Sequence, residues 1–246
     1  AAGAGVEWTE LALAGAGEAW RTRLVVALVD PARVRLALDT AWDTGGDAAW
    51  RVDRAPDDAR LAVNAGQFVA TLPWGWVVLD GRQYLPPGHG PLVTTVMIDG
   101  AGRMRWRHGG ALPDESGSAP RWAFQSYPTL LADGLVPPAL RASRGAAVSA
   151  PDLAHRDARV AIGRLADDRL VVALTRWDAA GSALGAVPFG LTVPEMAAVM
   201  GALGARDAVL LYGGISGQLR LCDEACRVHA WRGVRAVPLA LVVRDR

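Results

Sequence analysis

Three stretches of this chain repeat one pattern: a short apolar run, a turn, and a second short run. They are "GWVVLDGRQYL" (75–85), "LVTTVMIDGAGRMRWRH" (92–108) and "ARVAIGRLADDRLVVALTRW" (158–177), turning at Asp80-Gly81, Asp99-Gly100 and Asp167-Asp168. Aspartate and glycine tolerate the backbone conformations that a tight turn demands, so each stretch predicts a β-hairpin. "RLVVALVD" (23–30) and "RVRLALDT" (33–40) add short β-branched strands on either side of Pro31. "DAVLLY" (207–212) has an apolar run after its first residue, which predicts a central strand buried on both faces.

One helix stands out in "LTVPEMAAVMGALGA" (191–205). Thr192 suits the cap, Pro194 the first turn, and Glu195 lies three residues after the cap. Val193, Met196, Val199, Met200 and Leu203 form its apolar stripe, and Gly204 stops it. The expected class is α+β: a single domain over 1–246 with large mixed or antiparallel sheets and few helices. The polar stretch "GGALPDESGSAPRW" (109–122) reads as a long loop inside that domain.

Charge and hydropathy exclude several roles. The formal net charge of +1 gives no field to steer nucleic acid. No run of about 18 apolar residues exists, so no transmembrane segment is expected. The opening "AAGAGVEWTELALAG" has neither a basic start nor a long apolar stretch, as in a chain whose leader has been removed.

Cys222 and Cys226 fall in "LRLCDEACRVHA". A closed zinc site takes about four ligands, and only His229 is near. The flanking residues alternate like paired strands, which predicts a hairpin with a disulfide across its tip and an oxidising compartment. The alternative is two thiols on an exposed turn. Neither a metal nor a cofactor is expected.

Several residues could carry chemistry. In "LAVNAGQF" (61–68), Asn64 can hydrogen-bond a sugar or phosphate, or merely stabilise the turn that Gly66 permits. In "WAFQSYPTLLADG" (122–134), Gln125 and Tyr127 precede Pro128. Arg159 and Arg176 lie on opposite arms of one predicted hairpin. They could clamp a phosphate between two guanidinium forks, or be solvated strand edges. "YGGISG" (212–217) offers a run of backbone N–H groups unshielded by side chains. Such a nest can bind an anion, or it can be a tight connection between strands. Trp74, Trp76, Trp122 and Trp177 flank these motifs; each could stack on a sugar or pack in the core. His155 is the histidine nearest to Arg159 in sequence.

The motifs fall in a recognisable order. Asn-x-Gly-x-Phe (64–68) precedes Gln-Ser-Tyr-Pro-Thr-Leu-Leu-x-Asp-Gly (125–134) and Arg-Val-Ala-Ile-Gly (159–163). The capped Thr-x-x-Glu-Met-Ala (192–197), Tyr-Gly-Gly-Ile-Ser (212–216) and Arg-Ala-Val-Pro-Leu-Ala-Leu-Val-Val (235–243) follow. This order resembles the phosphodiester glycosidase family, from about residue 20 to the end. The resemblance implies hydrolysis of a sugar-1-phosphodiester by a secreted, periplasmic or envelope protein, often linked to exopolysaccharide. A carbohydrate or sugar-phosphate would be the partner. It implies that Asn64 and Gly66 line the site and that Arg159 contacts phosphate or organises carboxylates. It further implies that Gly213 and Gly214 cradle substrate near Ser216, with Gln125 as a sugar contact. Glu195 also matches, but its expected role is the helix cap.

Three departures bear on the chemistry. Ala65 and Gln67 stand where relatives usually have glycine and an aromatic. Leu174-Thr175-Arg176 retains only the arginine of a common Asp-Gly-Arg. Tyr212 stands where the family pattern has aspartate. Glycoside cleavage commonly uses a carboxylate as nucleophile or base, although tyrosine can serve as nucleophile. The sequence therefore supports a hydrolase with Tyr212 and Arg159 as altered catalytic groups, or an inactive relative that binds a glycan. A third role, as a structural partner in envelope polysaccharide assembly, would need no cleft.

Overall fold

The structure, a computed structural model, describes residues 5–13, 21–40, 50–110, 119–142, 152–177, 189–223, 225 and 227–246. The first strands are β1 (Val6–Ala12), β2 (Thr22–Val29), β3 (Val34–Thr40), β4 (Ala59–Asn64), β5 (Gln67–Val69) and β6 (Leu72–Trp74). Then come β7 (Val77–Leu79), β8 (Arg82–Leu85), β9 (Thr94–Ile98), β10 (Met104–His108), β11 (Trp122–Ser126) and β12 (Thr129–Leu131). The rest are β13 (Val160–Leu165), β14 (Leu170–Trp177), β15 (Ala205–Leu211), β16 (Leu219–Cys222), β17 (Val228–Trp231) and β18 (Leu239–Asp245). The described helices are α1 (Pro138–Ala142) and α2 (Val193–Ala202).

Six strands form one sheet in the order β1-β2-β14-β13-β15-β12. Two five-stranded sheets run β10-β9-β11-β7-β8 and β17-β16-β4-β18-β3, and β5 and β6 make a small hairpin. All pairings within these sheets are antiparallel.

Side chains alternate across a strand, so the two faces of the six-stranded sheet can be followed residue by residue. Leu170, Val172 and Leu174 of β14 point into the main core with Val160, Ile162, Val209 and Leu211. Leu61, Val63, Leu241 and Val243 from the third sheet meet them there. Val171, Ala173, Ala161, Ala208 and Leu210 point the other way, onto Met196, Ala197 and Met200 of α2. This double burial explains why β13, β14 and β15 lack an alternating polar pattern. On the outer face of the third sheet, Ala62, Ala240 and Val242 pack with Trp50, Val52 and Phe68.

The expected hairpins form with turns of different lengths. Asp80 and Gly81 adopt φ of 47° and 80°, the two left-handed residues of a tight hairpin turn. Between β9 and β10 the turn is wider, because the Asp99 carboxylate accepts from the N–H groups of Ala101 and Arg103 and rounds the loop. Thr192 caps α2 by accepting from the Glu195 N–H, and the Glu195 carboxylate accepts from the Thr192 N–H. Residues 111–118, most of the expected 109–122 loop, lie outside the described residues. No described helix is long and apolar enough to cross a membrane.

Candidate active site

β15 delivers Leu211 to the sheet end, and the chain then turns through Tyr212, Gly213 and Gly214. This turn lies against the segment leading into β13. A Cβ on Gly213 would sit 2.3 Å from the Ala158 carbonyl oxygen, so no side chain fits. Gly214 has φ +59°, and a Cβ there would lie 2.9 Å from Asp157 Oδ2. The Gly214 N–H donates to the Ala158 carbonyl at 2.7 Å. On the other side, the Tyr212 N–H donates to the Gly66 carbonyl at 3.0 Å. Three segments distant in sequence (64–66, 157–159 and 212–214) thus converge.

A cleft of about 520 Å³ opens at this convergence. Of the expected residues it is lined by Tyr212, Arg159, Gly213 and Gly214, with His155 beside them. It also holds Asp152, Asp157 and Arg235. Arg159 Nε donates to the Leu191 carbonyl at 2.8 Å, and its Nη2 donates to the His155 carbonyl. Among the described residues none accepts from its Nη1. Burial lowers the pKa of Arg159, and the charges of Asp157 and Asp152 oppose that shift. Burial raises the pKa of Asp157; Arg159, the Ala158 N–H and His155 offset this only in part. The Tyr212 ring stacks on Phe68, with centroids 3.9 Å apart and planes 25° apart. Arg235 lies over the other member of that pair, 5.0 Å from the Phe68 centroid.

The remaining expected residues build the surroundings and do not line the cleft. Asn64 is fully buried; its Nδ2 donates to the Tyr212 carbonyl at 2.8 Å and its Oδ1 accepts from the Gln218 N–H. Gly66 holds a left-handed φ of 66° and faces the Gln125 backbone. Gln125 is fully buried: Oε1 accepts from the N–H groups of Trp76 and Gly88, and Nε2 donates to Thr95. Its amide is thereby committed within the protein. Ser216 is buried too, and its hydroxyl finds no partner among the described residues.

The two arginines form no clamp. The ladder sets Arg159 opposite Thr175, so Arg176 lies one residue out of step, and adjacent residues face opposite ways. Arg176 is buried, and its Nη2 donates to the carbonyls of Gly217, Trp231 and Arg232. Burial brings its pKa down to about 10, so it stays charged at neutral pH. The glycine turn is also not an open nest. The N–H groups of Gly214, Ser216 and Gly217 are taken by the carbonyls of Ala158, Gly213 and Gly214.

β16 and β17 form the hairpin expected around the cysteines. Cys222 ends β16 and is buried, whereas Cys226 lies outside the described residues, and with it the expected disulfide. Among the described residues no group of three or more His, Cys, Asp or Glu could hold a metal ion. A second depression, of about 720 Å³, lies around Asp99, Arg103 and Arg164, where no site residue is expected.

Asp157 and Arg235 escaped the sequence reading. Asp157 had a usable signal: it lies two residues before Arg159, and in extended chain such neighbours share a side. Arg235 heads the 235–243 motif, but its place in the cleft depends on a loop held by its own bond to the Ala70 carbonyl, which the motif does not reveal.

The chain resembles the zebrafish N-acetylglucosamine-1-phosphodiester alpha-N-acetylglucosaminidase catalytic domain auto-inhibited by its pro-peptide. The TM-score is 0.71 at 15% identity, covering 98% of this chain and 84% of that one. A hypothetical protein from Synechocystis gives 0.59 at 15% identity, with 98% of this chain matching 62% of that one. A protein of Burkholderia pseudomallei, described as a candidate exported protein, gives 0.62 at 16% identity over 91% and 74%. At these identities the likeness shows the fold. No curated protein matches the sequence. The phosphodiester glycosidase family model matches residues 57–244, which include the glycine turn, Arg159 and the Asn64 motif, and the chain belongs to the phosphodiester glycosidase family.

Proposed function

We propose that this protein hydrolyses sugar-1-phosphodiesters in the cleft beside the glycine turn. The observation that carries this reading is Arg159 beside the Gly213-Gly214 turn, in a chain of this family. Its guanidinium charge persists across ordinary pH, and a donor is left over for a phosphate oxygen. A cleft of about 520 Å³ accommodates a sugar and its phosphate. The zebrafish relative's name supports the bond class. The Tyr212 ring, backed by Phe68, offers a flat surface to a sugar ring. Asn64, Gly66, Gln125, Arg176 and Ser216 act by holding the walls. We further propose a secreted or envelope location, supported by the Burkholderia neighbour described as a candidate exported protein.

Tyr212 itself favours a second reading, in which the protein binds its glycan without cleaving it. The tyrosine packs as an aromatic where the family pattern has a carboxylate. Release of free sugar from N-acetylglucosamine-1-methylphosphate distinguishes the two. The hydrolase reading expects turnover by the wild type and a large loss in Arg159→Ala. Binding without turnover, with turnover gained in Tyr212→Asp, supports the second reading. Neither binding nor turnover across a panel of sugar-1-phosphodiesters rejects both.

A further inference from the structure

We propose that Asp157 is the catalytic carboxylate of this cleft, a general base standing in for the aspartate that the family pattern has at position 212. The proposal rests on the hydrolase reading above.

Position is the first argument. The Asp157 carboxylate lies directly on the glycine turn: a Cβ on Gly214 would be 2.9 Å from Oδ2 and 3.2 Å from Oδ1. It therefore sits against the same turn from which the family's aspartate would project, two residues from position 212. Fixation is the second. The Asp157 N–H donates to the Leu191 carbonyl, and its own carbonyl accepts from the Leu191 N–H. Oδ1 accepts from the Ala158 N–H at 2.8 Å. Among the described residues Oδ2 accepts no hydrogen bond and forms no ion pair, which leaves it for a water. The Glu195 carboxylate, by contrast, is engaged twice over, by Arg156 and by its own helix cap.

Environment is the third argument. The ionisable groups lining the cleft around Asp157 are Asp152, His155, Arg159, Tyr127, Tyr212 and Arg235. Burial makes Asp157 a better proton acceptor than a solvated aspartate, and the nearby Arg159 charge opposes that shift.

Asp157 Oδ2 takes a proton from a water whose oxygen bonds to the anomeric carbon. The bond from that carbon to the phosphate oxygen breaks, and its electron pair leaves with the phosphate. The products are the free sugar and a phosphate monoester, and Asp157 passes its proton to solvent. The leaving group departs as a stable anion, so no separate acid is needed.

The test measures kcat and KM for N-acetylglucosamine-1-methylphosphate in wild type, Asp157→Asn and Asp157→Ala, with melting temperatures. The expected result is a fall in kcat of about 10²- to 10⁴-fold in both variants, with KM changed by less than about threefold. Added formate, a small carboxylate, restores part of the turnover in Asp157→Ala and leaves the wild type unchanged. A purely structural aspartate would show no such rescue. If the wild type turns over and Asp157→Asn stays within about threefold of it, Asp157 is not the base and the hydrolase reading stands. The same holds if both variants lose turnover but formate restores none. If the wild type shows no turnover on any sugar-1-phosphodiester, the hydrolase reading falls and the assignment falls with it.

Discussion

Asn64 shapes the cleft from beneath. Its carboxamide ties the end of β4 to the Tyr212 carbonyl and to the Gln218 N–H, so it sets where Tyr212 stands. Asn64→Ala leaves both buried groups unpaired and should destabilise the fold by about 2–4 kcal/mol in urea unfolding, with catalysis impaired as Tyr212 shifts. Arg176 plays the same part on the far side, serving three backbone carbonyls from a buried position. The motif match marked both residues, but matching cannot tell a ligand contact from a buried strut; hydrogen-bond partners can. Asp207 gives a pH test. Burial alone would raise its pKa, yet hydrogen bonds with His108 and Arg164 hold it down at about 2. A carboxylate depressed in the folded state stabilises above its unfolded value of about 4 and loses that contribution as pH falls toward 2. Asp207→Asn should therefore lower stability at pH 7 by roughly 2–3 kcal/mol. It should also flatten the decline in stability between about pH 4 and 2 relative to wild type, read by urea unfolding at each pH.

The glycine turn is the element on which the site depends. Its path beside Ala158 and Asp157 is open only to residues without Cβ atoms. Gly213→Ala would force an atom to 2.3 Å from a backbone oxygen that cannot move alone. The expected outcome is a loss of several kcal/mol or failure to fold, whereas Ala at Gly100, where a Cβ meets nothing within 4 Å, should be tolerated. Comparison of melting temperatures checks this. Helix α2 offers a milder case: Thr192→Ala removes one half of the capping box and should cost about 1 kcal/mol. Hairpins, helix and cap were legible because each rests on local chemistry, namely aspartate and glycine at turns and a threonine–glutamate pair at a helix start. Turn widths were less so. The five-residue loop after β9 depends on a carboxylate folding back on its own backbone, which a dipeptide pattern does not reveal.

Across the whole molecule, the site exists because two sheets bring distant segments together: β4 ends at Asn64, while β13 and β15 of the six-stranded sheet begin and end beside the other two segments. Strand β4 runs between β16 and β18, and β14 between β2 and β13. Such pairings depend on long-range packing, and a strand's own residues carry little record of its neighbour. The sheet order was therefore not legible, although the α+β class was. For the same reason the phosphate clamp expected of Arg159 and Arg176 failed: one residue of register turned them to opposite faces. The proposed function puts ligand chemistry in the cleft between Arg159, Asp157 and the Gly213-Gly214 turn. It can be checked by a crystal structure with a non-hydrolysable phosphonate analogue of N-acetylglucosamine-1-phosphodiester. The expected result is the phosphonate on Arg159 and the sugar against Tyr212, with its anomeric carbon facing Asp157. The analogue bound instead in the depression around Asp99 and Arg103, or nowhere at saturating concentration, would overturn the proposal.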